Sequence, residues 1–361
     1  MQPSFTAAMV TAFALSAGVS GVGSRSGLRS AGLALQRSTS ATVFAYGPMR
    51  AQPASRGAQL RAARTTFRYM VWARSEDAPL IRAGPGKRNQ MPIATANGTD
   101  LFYEVSGTSG DPVVLVHGSW VDHHDWDAVA LLLARSHRVL AYDRRGHSRS
   151  PRPATQGSVR EDADDLAALL ERVGLAPAHV VANSFGGIVA LRLAVTRPDL
   201  VRSLAVHEPP LFSLVAGDPA AAGALTEIQK HAVAVLGLIG EGDGRAAAEL
   251  FVETIALGPG SWAMIPEPVR AVAAANAKTF EDEVQDPEWT NVDLAGAASF
   301  SRLRPVLITQ GDRSPPLFAA VAARLAMAMP QARRHTFPGM GHAPHLTHPA
   351  EYARVVEGFL G

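Results

Sequence analysis

An apolar, strand-like run, Val180-Val181-Ala182, stops at Asn183-Ser184, and Gly186-Gly187 leads at once into a second apolar run, Ile188 to Ala194, compatible with a helix. A chain that passes from buried strand to helix without a linker must turn sharply, and only small residues fit beside such a turn. Ser184 stands at the apex, with Ala182 two residues before it and Gly186 two after, so Ala replaces the first Gly of the usual G-x-S-x-G. A turn of this kind, a nucleophile elbow, pushes the hydroxyl out of the sheet and makes Ser184 a candidate nucleophile. The stretch is equally compatible with an ordinary strand-to-helix turn in which Ser184 serves as an N-cap. The rest of the chain decides between them.

The rest of the chain alternates in the same way. Ile93 to Val105 reads as a hairpin about Asn97-Gly98. Pro112 to Val116 is continuously apolar, as in a strand buried on both faces, and ends at His117-Gly118-Ser119-Trp120. Val121 to His124 open a helix expected to run through Ala134. The strand Arg138 to Tyr142 follows and runs into Asp143-Arg144-Arg145-Gly146-His147-Ser148. Ser158 caps a helix to Val173, whose Glu161, Asp162, Asp164 and Asp165 read as a solvated first stretch favoured by the helix dipole. A strand over Ser203 to Val206 ends at His207-Glu208-Pro209-Pro210. Strands at Pro305 to Thr309 and Arg333 to Phe337 then alternate with helices at Leu317 to Met329 and Pro349 to Leu360.

This order predicts an α/β fold: a mostly parallel central sheet with helices on both faces. Residues 211–301 differ, with Ala/Leu-rich helical patterns, breaks at Gly-Pro clusters and no buried strand. They read as an inserted α-helical cap over the edge where such sheets bind ligands, leaving 91–210 and 302–361 as the core.

Composition matters mainly for the first quarter. Residues 1–75 hold nine of the 34 basic residues, all Arg, and none of the 32 acidic ones, so the remainder carries a balance of −7. The basic character belongs to this segment, and nothing calls for nucleic acid as a partner. Its Arg-, Ala- and Ser-rich composition reads as a disordered or mis-started leader over residues 1–90, with an organelle transit peptide as the alternative. The weakly apolar run Ala7 to Val19 is too short for a membrane span. With no cysteine, a thiol nucleophile, disulfides and zinc-thiolate sites are excluded, which fits a cytoplasmic location. Gly84-Pro85-Gly86-Lys87 lacks the Ser or Thr that a phosphate loop needs, and no glycine fingerprint follows the first buried strand, so no nucleotide cofactor is expected.

A serine hydroxyl is a poor nucleophile at neutral pH and needs a base that an acid orients. His342, in the glycine-rich Pro338-Gly339-Met340-Gly341-His342 after the last strand, is the candidate base. His345 and His348 read as surface or packing residues. A metal cluster of the three lacks an accompanying carboxylate motif, and no metal is expected. The negative charge that develops during acyl transfer needs two backbone N–H donors. Phe185, directly after the nucleophile, supplies one, and Ser119 or Trp120 the other.

On these motifs, residues 91–361 resemble the α/β-hydrolase fold superfamily, in the branch with a helical cap between its sixth and seventh core strands. Ser rather than Asp at the elbow sets the chain apart from the haloalkane dehalogenase and epoxide hydrolase branches. The resemblance also implies an acid after the strand that follows the cap, in Gly-x-x-Asp. Here that stretch reads Gly311-Asp312-Arg313-Ser314, with Ser at the expected position. Some branches place the acid after the sixth strand, where Glu208 stands, and Asp312 is the alternative. The expected activity is hydrolysis of a small to medium apolar ester under a cap bearing Phe251, Trp262 and Met264. C–C bond, amide or lactone hydrolysis and cofactor-free perhydrolysis share the same machinery. A ligand-binding relative that lost its acid would carry Ser314 as its mark.

Overall fold

The structure, a computed structural model, describes residues 92–361, so the leader expected over residues 1–90 lies outside the described residues. The sheet is built from β1 (Ile93–Ala96), β2 (Thr99–Ser106), β3 (Pro112–Val116), β4 (Arg138–Tyr142), β5 (Ala178–Asn183), β6 (Val201–His207), β7 (Val306–Gly311) and β8 (Arg333–Phe337). Its order is β1-β2-β4-β3-β5-β6-β7-β8. The β1–β2 and β2–β4 pairs are antiparallel and all others parallel. Asn97 and Gly98, both with positive φ, form the expected tight turn of the first hairpin.

The helices are α1 (Asp127–Leu133), α2 (Val159–Arg172) and α3 (Phe185–Thr196); then, between β6 and β7, α4 (Ala222–Gly240), α5 (Gly244–Phe251), α6 (Glu267–Ala275), α7 (Ala277–Gln285) and α8 (Leu294–Leu303). Next come α9 (Pro316–Ala328), the short α10 (Pro344–Thr347) and α11 (Pro349–Leu360). Strand side chains point alternately to the two faces, and the core divides accordingly. Val114, Val180 and Leu204 pack with Leu166 of α2 and Leu193 of α3. Val113, Leu115 and Val181 pack on the other face with Val129 of α1 and Val356 of α11. A separate cluster joins Val235, Ala247, Trp262 and Phe280 of the inserted segment to Trp120 of the β3 loop.

Three expectations require correction. The helix expected from Val121 begins only at Asp127, because His123–Trp126 form a tight single turn. Asp122 caps that turn through His124 N–H, and Asp143 holds both the N–H and the ring of His123. The acidic start of α2 is only partly a solvated face: Asp164 is exposed, but Asp162 and Asp165 are buried at 8% and 1% exposure. Arg144 and Arg145 from the β4 loop lie against them, at 2.8 and 2.6 Å. Met264 is 72% exposed and belongs to no apolar lining.

Candidate active site

Ser184 joins β5 to α3 with φ of 54°, a conformation that costs a non-glycine residue about 1–3 kcal/mol and persists only where the surroundings impose it. Its backbone is clamped on both sides: Ser184 N–H donates to the His207 carbonyl at 2.9 Å, and Gly187 N–H donates to the Ser184 carbonyl at 2.8 Å. The hydroxyl makes no capping bond to α3, so the N-cap alternative does not hold. Gly186 shows why the turn needs a small residue. A Cβ there would lie 2.5 Å from the carbonyl oxygens of both Val116 and His117, which are backbone atoms with no freedom to yield. Gly186→Ala is therefore expected to destabilise the fold by about 1–3 kcal/mol, read as a lowered melting temperature. An unchanged melting temperature would mean that α3 does not press on the end of β3.

His342 reaches the site on the loop after β8. Its Nδ1–H donates to Glu208 Oε2 at 2.7 Å, both side chains are buried, and Phe318 stacks on the ring at a centroid distance of 4.3 Å. Asn183, one residue before Ser184, donates through Nδ2 to the His342 carbonyl at 3.0 Å. Glu208 follows β6 with φ of 47°, and its Oε1 accepts from Gly311 N–H at 2.7 Å. The carboxylate is thus held by the next strand as well as by the imidazole. Burial raises the Glu208 carboxyl, but the His342 hydrogen bond and nearby His207 outweigh it and hold the group below its ordinary range. His207 itself is pushed down to about 3 by burial.

The other candidate acid stands elsewhere. Asp312 is exposed and accepts from Gly339 N–H at 2.7 Å rather than from the histidine. Ser314 lies beside Glu208, where its buried hydroxyl helps to favour the ionised carboxylate without forming a well-aligned hydrogen bond.

The β3 loop faces the elbow. Gly118 comes so close that a Cβ there would sit 3.0 Å from the Ser184 Cβ. His117 braces the loop from below: its Nδ1–H donates to the Gly118 carbonyl at 2.8 Å, and its Nε2 accepts from Arg144 N–H at 2.9 Å. Burial lowers the pKa of His117, consistent with the neutral ring that this pattern requires. Among the described residues, nothing accepts from the backbone N–H of Phe185, Ser119 or Trp120. Ser119 and Phe185 line the same cavity as Ser184 and His342. Trp120, with φ of 71°, packs its ring against Phe251 and Phe280.

That cavity is roofed largely by apolar side chains, among them Phe212, Phe251, Ile255 and Trp289. Glu283 of α7 is an exception. Its Oε1 accepts from Arg144 Nη2 at 2.9 Å and its Oε2 from Ser119 Oγ at 2.5 Å. Arg144 is 1% exposed, also pairs with Asp162, and lies 4.6 Å from the centre of the Phe185 ring. Burial pushes Glu283 up from 4.5 to about 7, against the pull of Arg144. Between those values the folded protein keeps a proton that the unfolded chain has released. The stability it contributes is complete below pH 4.5 and is lost as pH rises through about 7. Glu283→Gln, which does not titrate, is expected to gain on wild type in melting temperature from about pH 5 to about pH 8. Melting curves that stay parallel across that range would show that ionising Glu283 costs nothing.

His345 and His348 do not join His342 in one cluster. His345 pairs with Asp125 at 2.8 Å and packs on Trp126, while His348 bonds to Thr347. Among the described residues, two groups bring three ligand atoms within 4.8 Å: His207, Glu208 and His342, and Asp122, His123 and Asp143. In the second, Asp143 is committed to His123 and to Arg149 N–H, as a staple between two loops. Sequence reasoning missed Asn183, Arg144 and Glu283. The first was signalled only by its place beside Ser184, the second by its motif, and the third by nothing.

Comparison with known proteins agrees with this architecture. A family model described as the alpha/beta hydrolase family matches residues 113–355. An uncharacterized hydrolase, YraK, of Bacillus subtilis is 37% identical over 123 residues, which make up 34% of this chain and 45% of that protein. The bifunctional esterase/perhydrolase of Acinetobacter calcoaceticus is 36% identical over 132 residues, 35% of this chain and 48% of its own. The matched stretch thus spans less than half the length of these curated relatives. A solved structure described as an N-acyl homoserine lactone degrading enzyme superposes with a TM-score of 0.59 at 25% identity. That likeness covers 74% of this chain and 100% of the other. With a family model spanning the sheet from β3 to α11, and a strained serine elbow at its centre, this chain belongs to the alpha/beta hydrolase family.

Proposed function

We propose that this protein is a serine hydrolase that cleaves a small to medium, apolar carboxylic ester. Ser184 is the nucleophile, His342 the base, Glu208 the acid, and the N–H groups of Phe185 and Ser119 form the oxyanion hole. The observation that carries the reading is the buried His342–Glu208 hydrogen bond at 2.7 Å, beside a cavity that His342 lines together with Ser184. Glu208 fixes the proton on Nδ1, which leaves Nε2 with a lone pair to take the Ser184 proton. Ser184 Oγ attacks the ester carbonyl, and the tetrahedral oxyanion is held by the two backbone N–H groups. Its collapse breaks the C–O bond, and His342 returns the proton to the leaving alcohol. Water then attacks the acyl-enzyme by the same route and releases the acid.

The helices between β6 and β7 act as the cap, and their apolar side chains favour an apolar acyl or alcohol part. The names of similar proteins, an esterase/perhydrolase and an acyl-lactone degrading enzyme, are compatible with a carbonyl attacked by serine. The test is fluorophosphonate labelling together with hydrolysis of p-nitrophenyl esters of short and medium chain length. Labelling and turnover by wild type are expected. A protein that binds esters without labelling or turnover would be a non-catalytic relative instead.

A further inference from the structure

We infer that Glu283, carried by the inserted helix α7, is a positioning residue that sets the oxyanion hole by holding Ser119. The inference rests on the proposed role of the Ser119 N–H as an oxyanion donor. Within the β3 loop, His117 fixes Gly118 from the sheet side, but the next residues are held from the other side. The Ser119 hydroxyl donates to Glu283 at 2.5 Å. The Trp120 ring packs against Phe251 and Phe280, with both centroids at 5.2 Å. The Val121 carbonyl accepts from Asn276 Nδ2, one residue before α7, at 3.1 Å. Three consecutive residues of the donor loop are thus sewn to the inserted helices rather than to the sheet. Among these ties, the Glu283 bond is the one made by Ser119 itself.

Glu283 is suited to the task because its own place is fixed. Arg144 grips its second oxygen and is in turn held by Asp162 and the Gly118 carbonyl. The carboxylate therefore links two consecutive residues of the loop, Gly118 through Arg144 and Ser119 directly. The hold also survives titration. An ionised Glu283 accepts from both donors, and a neutral one accepts from Arg144 while donating to Ser119 Oγ. Glutamine has the donor–acceptor pattern of the neutral acid. Leucine fills the same space and holds neither partner.

The experiment measures kcat and KM for ester hydrolysis by Glu283→Leu, Glu283→Gln, Ser119→Ala and the double variant Ser119→Ala/Glu283→Leu. A misaimed donor weakens binding of the transition state more than that of the substrate. Leucine is thus expected to lower kcat by about 10- to 100-fold with KM within about threefold, and glutamine to recover most of that loss. Ser119→Ala, which keeps the backbone N–H and loses only the hydroxyl, is expected to match the leucine variant. The double variant should lose no more than either single one. Wild-type kcat in Ser119→Ala overturns the inference even if Glu283→Leu does not fold, and so do losses that multiply in the double variant. A wild type without turnover overturns the proposed function and this inference with it, whereas an active wild type with an indifferent Ser119 hydroxyl overturns this inference alone.

Discussion

Ser184→Ala is expected to lower kcat by about 10⁴- to 10⁶-fold and to abolish fluorophosphonate labelling. The magnitude follows from what the substitution removes. Without the hydroxyl no acyl-enzyme forms, and His342 has only a water to activate. The proposed oxyanion donors, the N–H groups of Phe185 and Ser119, are left, so a trace of activity above the uncatalysed rate should remain. The fold should be indifferent, because the alanine Cβ occupies the same strained position and the lost oxygen makes no capping bond. Circular dichroism and a melting curve alongside the kinetics separate the two effects. If the variant keeps more than about a hundredth of wild-type activity, covalent catalysis by Ser184 is the wrong mechanism.

Glu208→Gln carries the second largest expected effect, a loss of about 10³- to 10⁴-fold in kcat. The glutamine oxygen can still accept from Gly311 N–H, but its NH₂ then faces His342 Nδ1. The imidazole must accept that bond at Nδ1, which places its proton on Nε2, the atom that should receive the serine proton. The ring stays in place in the wrong tautomer. Asp312→Asn is expected to stay within about twofold of wild type, since Asp312 caps Gly339 and touches no part of the imidazole. Adding Ser314→Asp to the Glu208→Gln background places a carboxylate next to Glu208 and should recover about tenfold or more. A pH-rate comparison of the four proteins decides the matter. A larger loss in Asp312→Asn than in Glu208→Gln would move the acid to β7.

The centre of the sheet was legible because β3, β5 and β7 are short apolar runs, each separated from the next parallel strand by helical stretches. The serine turn was legible because small residues at 182 and 186 are what tight strand-to-helix packing demands. The acid stayed open between Glu208 and Asp312. Both follow strands, and the spacing of residues does not show that Glu208 takes a positive φ and turns inward while Asp312 turns out. Asp162 and Asp165 at the start of α2 were misread because charges at a helix N-terminus are usually solvated. Nothing local announces that Arg144 and Arg145, some twenty residues earlier, fold back on Asp162 and Asp165. Glu283 is the extreme case. It sits in a stretch without motif, 139 residues from Arg144 and 164 from Ser119, so only the folded chain brings it to the cavity.

The bond from Asn183 to the His342 carbonyl has a mechanical consequence. Asn183 and His342 are 159 residues apart in the chain, yet the loop that carries the proposed base is moored to the residue that precedes the proposed nucleophile. A displacement of the tip of β5 that keeps this bond is therefore expected to carry the His342 loop along with Ser184.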